Sequence, residues 1–153
     1  VIEMAAASGL TLIEAFDRNP LKTSSFGTGQ LIQAALDRGC KHILIGLGGS
    51  ATNDAGVGMA KALGISFRDQ SGREIEQGAA GLAGLDTIDF DGLDPRVQKT
   101  EIIGLTDVLN PLCGQSGASL IGSGHSASYV LKPGLPPTRM RGSKGQNHRC
   151  VPT

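Results

Sequence analysis

A run of glycines and small polar residues between positions 46 and 59 is the stretch of this sequence best suited to chemistry. It follows the apolar residues 42–45, which are typical of a buried strand, and leads into residues 59–63, which favour a helix. Backbone N–H groups exposed at such a junction, together with the positive end of a helix dipole, suit a carboxylate or a phosphate. We call residues 46–59 the glycine loop, and its main-chain amides are a candidate anion site.

Four polar residues lie within the glycine loop: Ser50, Thr52, Asn53 and Asp54. Their hydroxyl, amide and carboxylate groups together can bind a polar ligand or a hydrated magnesium ion. The loop has neither the Gly-Lys-Ser/Thr of a Walker A motif nor a dinucleotide fingerprint in its usual register. The alternative is a structural role, in which Asn53 or Asp54 caps the start of the following helix.

A second small-residue motif, Gly27-Thr28-Gly29, precedes a predicted helix. Its amides and the Thr28 hydroxyl could hold an anion. Alternatively, the glycines only form a turn and Thr28 caps the helix.

Asp107 and Asn110 directly follow a predicted buried strand, residues 101–106. Open α/β sheets bind ligands at the carboxyl ends of their strands, so these two side chains could orient a substrate hydroxyl or a metal-bound water. An Asx-turn before Pro111 is the alternative.

Other polar residues give weaker indications. The aspartates at 86, 89, 91 and 94 lack the spacing of an EF-hand and are typical of a solvated face. None of the three histidines has a partner at catalytic or ligand spacing. The sequence therefore predicts neither a Ser/His/Asp triad nor a dedicated set of metal ligands.

Apolar runs and breakers indicate an α/β fold with a Rossmann-like layered sheet and helices. The predicted strands are residues 1–6, 42–47, 88–90 and 101–106. The predicted helices are residues 30–38 and 55–63, and they are followed by Gly39 and Gly64 as left-handed caps. A β-hairpin is predicted near 65–75, turning at residues 69–72.

The charge distribution divides the chain into two regions. The net charge is zero, but residues 1–121 carry nine basic and fourteen acidic side chains, whereas residues 122–153 carry five basic and no acidic ones. We predict an α/β region at 1–120 and a basic Gly/Ser/Pro-rich tail, without persistent structure, at 121–153. A basic tail can bind nucleic acid, but this one lacks interleaved aromatic residues, so that function is not favoured.

Composition also bounds the location of the protein. The three cysteines form no CxxC pair, which favours a reducing, cytoplasmic setting over a disulfide framework or a zinc site. No stretch is long and apolar enough to span a bilayer, and no signal peptide is visible. The first residue is Val1 within an apparent strand, so we expect the chain to begin inside a larger protein.

Several blocks together resemble the bacterial glycerate kinase family of the glycerate 2-kinase type. The most specific is Gly-Gly-Ser-Ala-Thr-Asn-Asp followed by spaced glycines, within residues 45–59. The other matching blocks are residues 1–10, 18–21, 26–32, 35–40 and 110–119. The resemblance covers about residues 1–119, the central third of a full-length member, and Leu109 replaces a residue that is commonly polar in the family.

The resemblance implies an incomplete fragment of a two-domain kinase that transfers a phosphoryl group from ATP, with Mg²⁺, to D-glycerate, giving 2-phosphoglycerate. Asp54 and Asp107 would then be catalytic. The substrate- or phosphate-binding residues would be Gly48, Gly49, Ser50, Thr52, Asn53, Asn110, Gly27 and Thr28. Because the family's other cleft-lining segments are missing, we expect this chain to be inactive alone; the alternative is a non-catalytic anion- or nucleotide-binding module.

Overall fold

The computed structural model describes residues 1–106 and the backbone of residues 139–141 and 147–149. It is a mixed α/β structure with two sheets. The strands are β1 Ile2–Glu3, β2 His42–Gly46, β3 Ser66–Arg68, β4 Thr87–Asp89, β5 Glu101–Leu105, β6 Arg139–Arg141 and β7 Asn147–Arg149. The α-helices are α1 Ala5–Ser8, α2 Phe26–Asp37 and α3 Val57–Ala62.

The first sheet has three parallel strands in the order β1-β2-β5, with β2 in the centre. In register, Gly46 lies between Glu3 of β1 and Leu105 of β5. The three strands therefore end at the same edge of the sheet. The glycine loop leaves from the middle of that edge.

Helix α2 covers this sheet through an aliphatic core. Ile32 and Leu36 lie one turn apart on the helix and pack with Ile43 and Ile45, which alternate along β2. The α2 sequence is apolar at this spacing, and Gly39 ends it in the left-handed conformation, at φ 78°. The predicted helix and its Gly39 cap are thus present, but the helix begins at Phe26 and not at residue 30, so that Gly27-Thr28-Gly29 lies inside it.

The second sheet has the order β3-β4-β6-β7, with β3 antiparallel to β4. The predicted hairpin is present, because Asp69 and Ile75 donate main-chain hydrogen bonds across it to Arg73 and Phe67. Its second arm forms only the single bridge Arg68–Glu74, since the ladder of β3 is made with β4. Strands β6 and β7 lie within residues 121–153; the division of the chain at 120 stays a prediction.

Two other predicted elements also have clearly different bounds in the structure. The strand predicted at 1–6 ends at Glu3, and α1 begins at Ala5, because successive alanines strongly favour a helix. The helix predicted at 55–63 begins only at Val57, because Ala55 and Gly56 have φ values of 53° and 75° and form a left-handed turn. Gly64 caps the end of that helix, as predicted, at φ 98°.

Candidate functional site

The glycine loop begins between the carboxyl ends of two neighbouring strands. Met4 donates its main-chain N–H to the carbonyl of Gly46 at 2.9 Å, and Leu47 donates to the carbonyl of Leu105 at 3.0 Å. These bonds fix the start of the loop at the edge where open parallel sheets bind ligands.

The residues after β1 form main-chain hydrogen bonds with one side of the glycine loop. The main-chain N–H of Leu10 donates to the carbonyl of Gly49 at 3.0 Å, and that of Ala51 donates to the carbonyl of Ser8 at 2.8 Å. The Thr23 hydroxyl also donates to the carbonyl of Ala51, at 2.7 Å. The loop therefore has a defined course although it contains several glycines.

Gly48 and Gly49 present main-chain N–H groups that donate to no acceptor in the part of the chain that the structure describes. Both residues are exposed. Gly49 has a φ of 69°, a conformation that a glycine adopts without a steric penalty. Successive amides turned in this way form a concave site for an anion.

Ser50 and Thr52 follow these amides and hydrogen-bond to each other. Their hydroxyl oxygens are 2.8 Å apart, and the main-chain N–H of Thr52 donates to the Ser50 hydroxyl at 3.1 Å. Both residues and Asn53 are half-buried. The structure thus brings the hydroxyls of Ser50 and Thr52 together directly after Gly48 and Gly49.

Asp54 lies beneath the loop, with only 2% of its surface exposed. Its Oδ2 accepts hydrogen bonds from the N–H of Ser25, the hydroxyl of Ser25 and the N–H of Gly58, at 2.8, 2.9 and 3.0 Å. Its Oδ1 accepts from the N–H of Gly56 at 3.1 Å. Asp54 therefore accepts an N–H of the first turn of α3, which agrees with the structural alternative, although the N-cap position itself is Gly56. All of these contacts are internal.

Ser25 completes this arrangement and was not singled out from the sequence. It is fully buried, and its hydroxyl accepts the main-chain N–H of Met59 at 2.9 Å while donating to Asp54. Asp54 and Ser25 therefore join the amino-terminal ends of α2 and α3, where a negative charge is favourable. A small polar residue immediately before an apolar helix is the signal that could have identified it.

Gly27 and Thr28 lie in the first turn of α2. Thr28 has no exposed surface, and its hydroxyl lies 2.9 Å from that of Ser8. A Cβ on Gly27 would lie 2.7 Å from the carbonyl oxygen of Ala7. These residues let α1 approach α2 closely, and the helix begins at Phe26 rather than at a cap on Thr28.

Asp107 and Asn110 lie outside the described residues, so their predicted roles stay predictions. Of the predicted solvated aspartates, Asp94 binds Arg96 through a 2.7 Å ion pair, and its hydrogen bonds with Arg96 lower the pKa of that carboxyl below its ordinary value. Within residues 1–106, no group of three or more His, Cys, Asp or Glu side chains is placed to hold a metal ion. No helix in the described part is long and apolar enough to cross a membrane.

A carboxylate that the sequence analysis did not select lies at the same sheet edge. A Cβ built on Gly46 would be 2.8 Å from Oε2 of Glu3, so the Glu3 side chain lies across the first residue of the glycine loop. Pairing of Glu3 with Gly46 depends on strand register, which the sequence does not reveal.

Comparison with known proteins gives a clear family match over this region. The profile of the Glycerate kinase family matches residues 1–122. The chain belongs to this family. A glycerate kinase of Haemophilus influenzae is 54% identical over 121 residues, which are 79% of this chain and 32% of that protein. A glycerate 2-kinase of Escherichia coli is 54% identical over 120 residues, again 32% of its length.

The fold agrees with a solved member of the glycerate kinase family. A crystal structure assigned to glycerate kinase 2 of Salmonella typhimurium LT2 superposes with a TM-score of 0.79 at 52% identity, covering 82% of this chain and 35% of that one. The resemblance inferred from the sequence blocks is thereby confirmed, as is the α/β fold. The chain spans about a third of the length of the curated relatives it matches.

Proposed function

We propose that this chain supplies the anion-binding loop of a glycerate kinase, which transfers a phosphoryl group from ATP to D-glycerate. The observation that carries the proposal is the pair of exposed N–H groups at Gly48 and Gly49, at the carboxyl edge of a parallel sheet in a member of the glycerate kinase family. Both substrates are anions, and unpaired amides at such an edge suit a phosphate or a carboxylate.

The transfer itself depends on positioning and on neutralising charge. A bond forms between the 2-hydroxyl oxygen of glycerate and the γ-phosphorus, and the bond from that phosphorus to the β,γ-bridging oxygen breaks. The hydroxyl proton is released to the solvent as H⁺, and the products are 2-phosphoglycerate and ADP. Bound Mg²⁺ would supply charge neutralisation on the phosphates.

In this proposal the loop residues have distinct tasks. The Gly48 and Gly49 amides bind the anionic group, and the half-buried hydroxyls of Ser50 and Thr52 and the amide of Asn53 line the same surface. Asp54 holds the loop against the two helices, so it is a positioning residue in the described geometry, although the resemblance implies a catalytic one. Thr28 is fully buried, so it too positions the site without contacting the ligand.

The sequence places Asp107 and Asn110 directly after β5, next to the strand from which the glycine loop leaves. We propose that their side chains complete the ligand-binding site at this edge of the sheet. Mg²⁺ commonly binds one or two protein carboxylates together with substrate phosphates, and not a site made only of protein ligands. A single aspartate at this position matches that mode of binding. The cytoplasmic location expected from the cysteine pattern is part of the same proposal.

The decisive experiment is an amide NMR titration of the 153-residue chain with D-glycerate and with ATP–Mg²⁺. We expect the largest shifts at the Gly48 and Gly49 N–H groups. Gly49→Ala should weaken binding, because it disturbs the left-handed turn, whereas Gly84→Ala, with no atom near its added methyl, serves as the control. Shifts confined to other parts of the chain would refute the assignment of the loop.

A non-catalytic anion-binding module is the second candidate. It rests on the same exposed N–H groups of Gly48 and Gly49, which in this alternative bind an anion without phosphoryl transfer. We expect an ADP-coupled assay with glycerate to give no turnover for this chain alone. Turnover at an ordinary kinase rate, about 1–100 per second, would overturn that expectation.

A further inference from the structure

Glu3 and Gly46 face each other across the first two strands of the parallel sheet. They are register partners, and the Glu3 carboxylate lies where a side chain of residue 46 would begin. The three atoms nearest to a Cβ placed on residue 46 all belong to the Glu3 carboxylate group, the closest at 2.8 Å. Gly46 does not have a positive φ, so its backbone conformation does not require glycine. The absence of a side chain at 46 therefore leaves room for this carboxylate.

The Glu3 carboxylate is exposed, and in the described part of the chain it makes neither a hydrogen bond nor an ion pair. This distinguishes it from Asp54, whose oxygens are occupied by main-chain and hydroxyl donors. Met4, the next residue, donates to the carbonyl of Gly46, so the position of Glu3 is fixed relative to the glycine loop. One unoccupied acceptor thus lies at the start of a loop that carries unoccupied donors at Gly48 and Gly49.

We propose that Glu3 contacts the substrate and accepts a hydrogen bond from a hydroxyl group of glycerate. This inference rests on the proposed function. Glycerate carries one carboxylate and two hydroxyl groups, and a carboxylate such as that of Glu3 repels the first and attracts the second. The substrate carboxylate is then directed away from Glu3, toward the amides of Gly48 and Gly49.

Two variants test the contact by different routes. Glu3→Gln removes the charge and retains the shape. Gly46→Ala retains the charge and displaces the carboxylate, because the three atoms nearest to the added methyl all belong to the flexible end of Glu3. The control is Glu76→Gln, which changes another exposed glutamate whose side chain has no hydrogen bond or ion pair in the described region.

Calorimetry of the 153-residue chain would compare D-glycerate with propanoate, which has the carboxylate but no hydroxyl. Loss of a charge-assisted hydrogen bond should weaken glycerate binding about 10-fold or more in both Glu3→Gln and Gly46→Ala. Binding of propanoate should be unchanged or stronger in Glu3→Gln, because a repulsion is removed. Substitution of a residue with a purely structural role would weaken the binding of glycerate and of propanoate equally.

The outcomes separate this inference from the proposed function. If the wild-type chain binds glycerate and Glu3→Gln binds it as well as Glu76→Gln does, the Glu3 contact is wrong and the loop assignment stands. Equal losses for glycerate and propanoate also overturn the hydroxyl contact. If Glu3→Gln does not fold, judged by circular dichroism, Gly46→Ala decides alone. If the wild-type chain binds no glycerate, both proposals fail together.

Discussion

The Asp54 carboxylate accepts both the main-chain N–H and the hydroxyl of Ser25, at 2.8 and 2.9 Å, although the two residues are 29 positions apart. Through Gly58, the same carboxylate oxygen binds the first turn of α3. A buried negative charge of the protein itself therefore occupies the ends of two helices. The main-chain N–H groups that remain available to an external anion are the exposed ones of the glycine loop.

Asp54→Asn should destabilise the chain by about 2–3 kcal/mol. Asp54 offers acceptor oxygens to four donors, whereas an asparagine must turn its NH₂ group toward at least one of them and leave buried N–H groups without an acceptor. The free energy of unfolding in urea measures the effect. Asp91→Asn, at an exposed side chain, is the control and should change it by less than about 0.5 kcal/mol.

A double-mutant cycle with Ser25→Ala extends this measurement. Because Ser25 and Asp54 form one hydrogen-bonded unit, we expect a coupling energy of about 1 kcal/mol or more. Additive effects of the two changes would show that Asp54 acts independently of Ser25.

Gly29→Ala should destabilise the chain even though alanine is the better helix former. Helix propensity favours the change by about 1 kcal/mol. Against this, the new Cβ would lie 2.5 Å from the carbonyl oxygen of Met59 and 2.6 Å from the Cβ of Ala62, so α2 and α3 must separate. Overpacking against main-chain atoms costs about 1–3 kcal/mol or more, so the free energy of unfolding should decrease overall.

Thermal and urea unfolding of Gly29→Ala would be compared with that of Gly84→Ala. The methyl added at residue 84 meets no atom within 4 Å, and this variant should lie within about 0.5 kcal/mol of the wild type. An increase in stability for Gly29→Ala would contradict the close contact of α2 and α3.

Gly49→Ala should cost about 1–2 kcal/mol, because its φ of 69° is a left-handed conformation that disfavours a Cβ. The Cβ would also lie 3.3 Å from that of Ala5. Gly48→Ala is the matched control in the same loop, since its Cβ meets open space and its φ is not positive. Equal stability of the two variants in urea would show that the left-handed turn at 49 is not required.

Ser71→Ala should raise the pKa of Asp69 in the hairpin turn. The Ser71 hydroxyl, followed by the main-chain N–H of Arg73, holds the pKa of Asp69 at about 2, below its ordinary 3.8. The ionised carboxylate therefore stabilises the folded state above about pH 4, and that contribution is lost as the pH falls from about 4 to about 2.

An NMR titration of the Asp69 carboxyl carbon measures this pKa directly. Gln70→Ala is the control, because its side chain lies in the same turn and makes no hydrogen bond in the described residues. If Ser71→Ala and Gln70→Ala give the same pKa, the hydroxyl of Ser71 is not the main cause of the shift.

The local patterns were sufficient to predict β2, helix α2 and the glycine caps. Alternating apolar residues predict the strand, the helical spacing of Ile32 and Leu36 predicts the helix, and Gly39 and Gly64 both have positive φ. These features depend on residues close in the chain. The glycine loop was recognised for the same reason, since its strand, its glycines and its polar residues are contiguous.

The sequence by itself therefore determined the fold class, the family and the position of the loop, all of which are encoded in short contiguous patterns. It left open whether Asp54 faces a ligand or caps a helix, and only the tertiary structure placed it against Ser25. It also gave no reason to select Glu3, whose importance arises from the register of β1 on β2. Both relationships join residues far apart in the chain, and local propensity carries no information about such pairings.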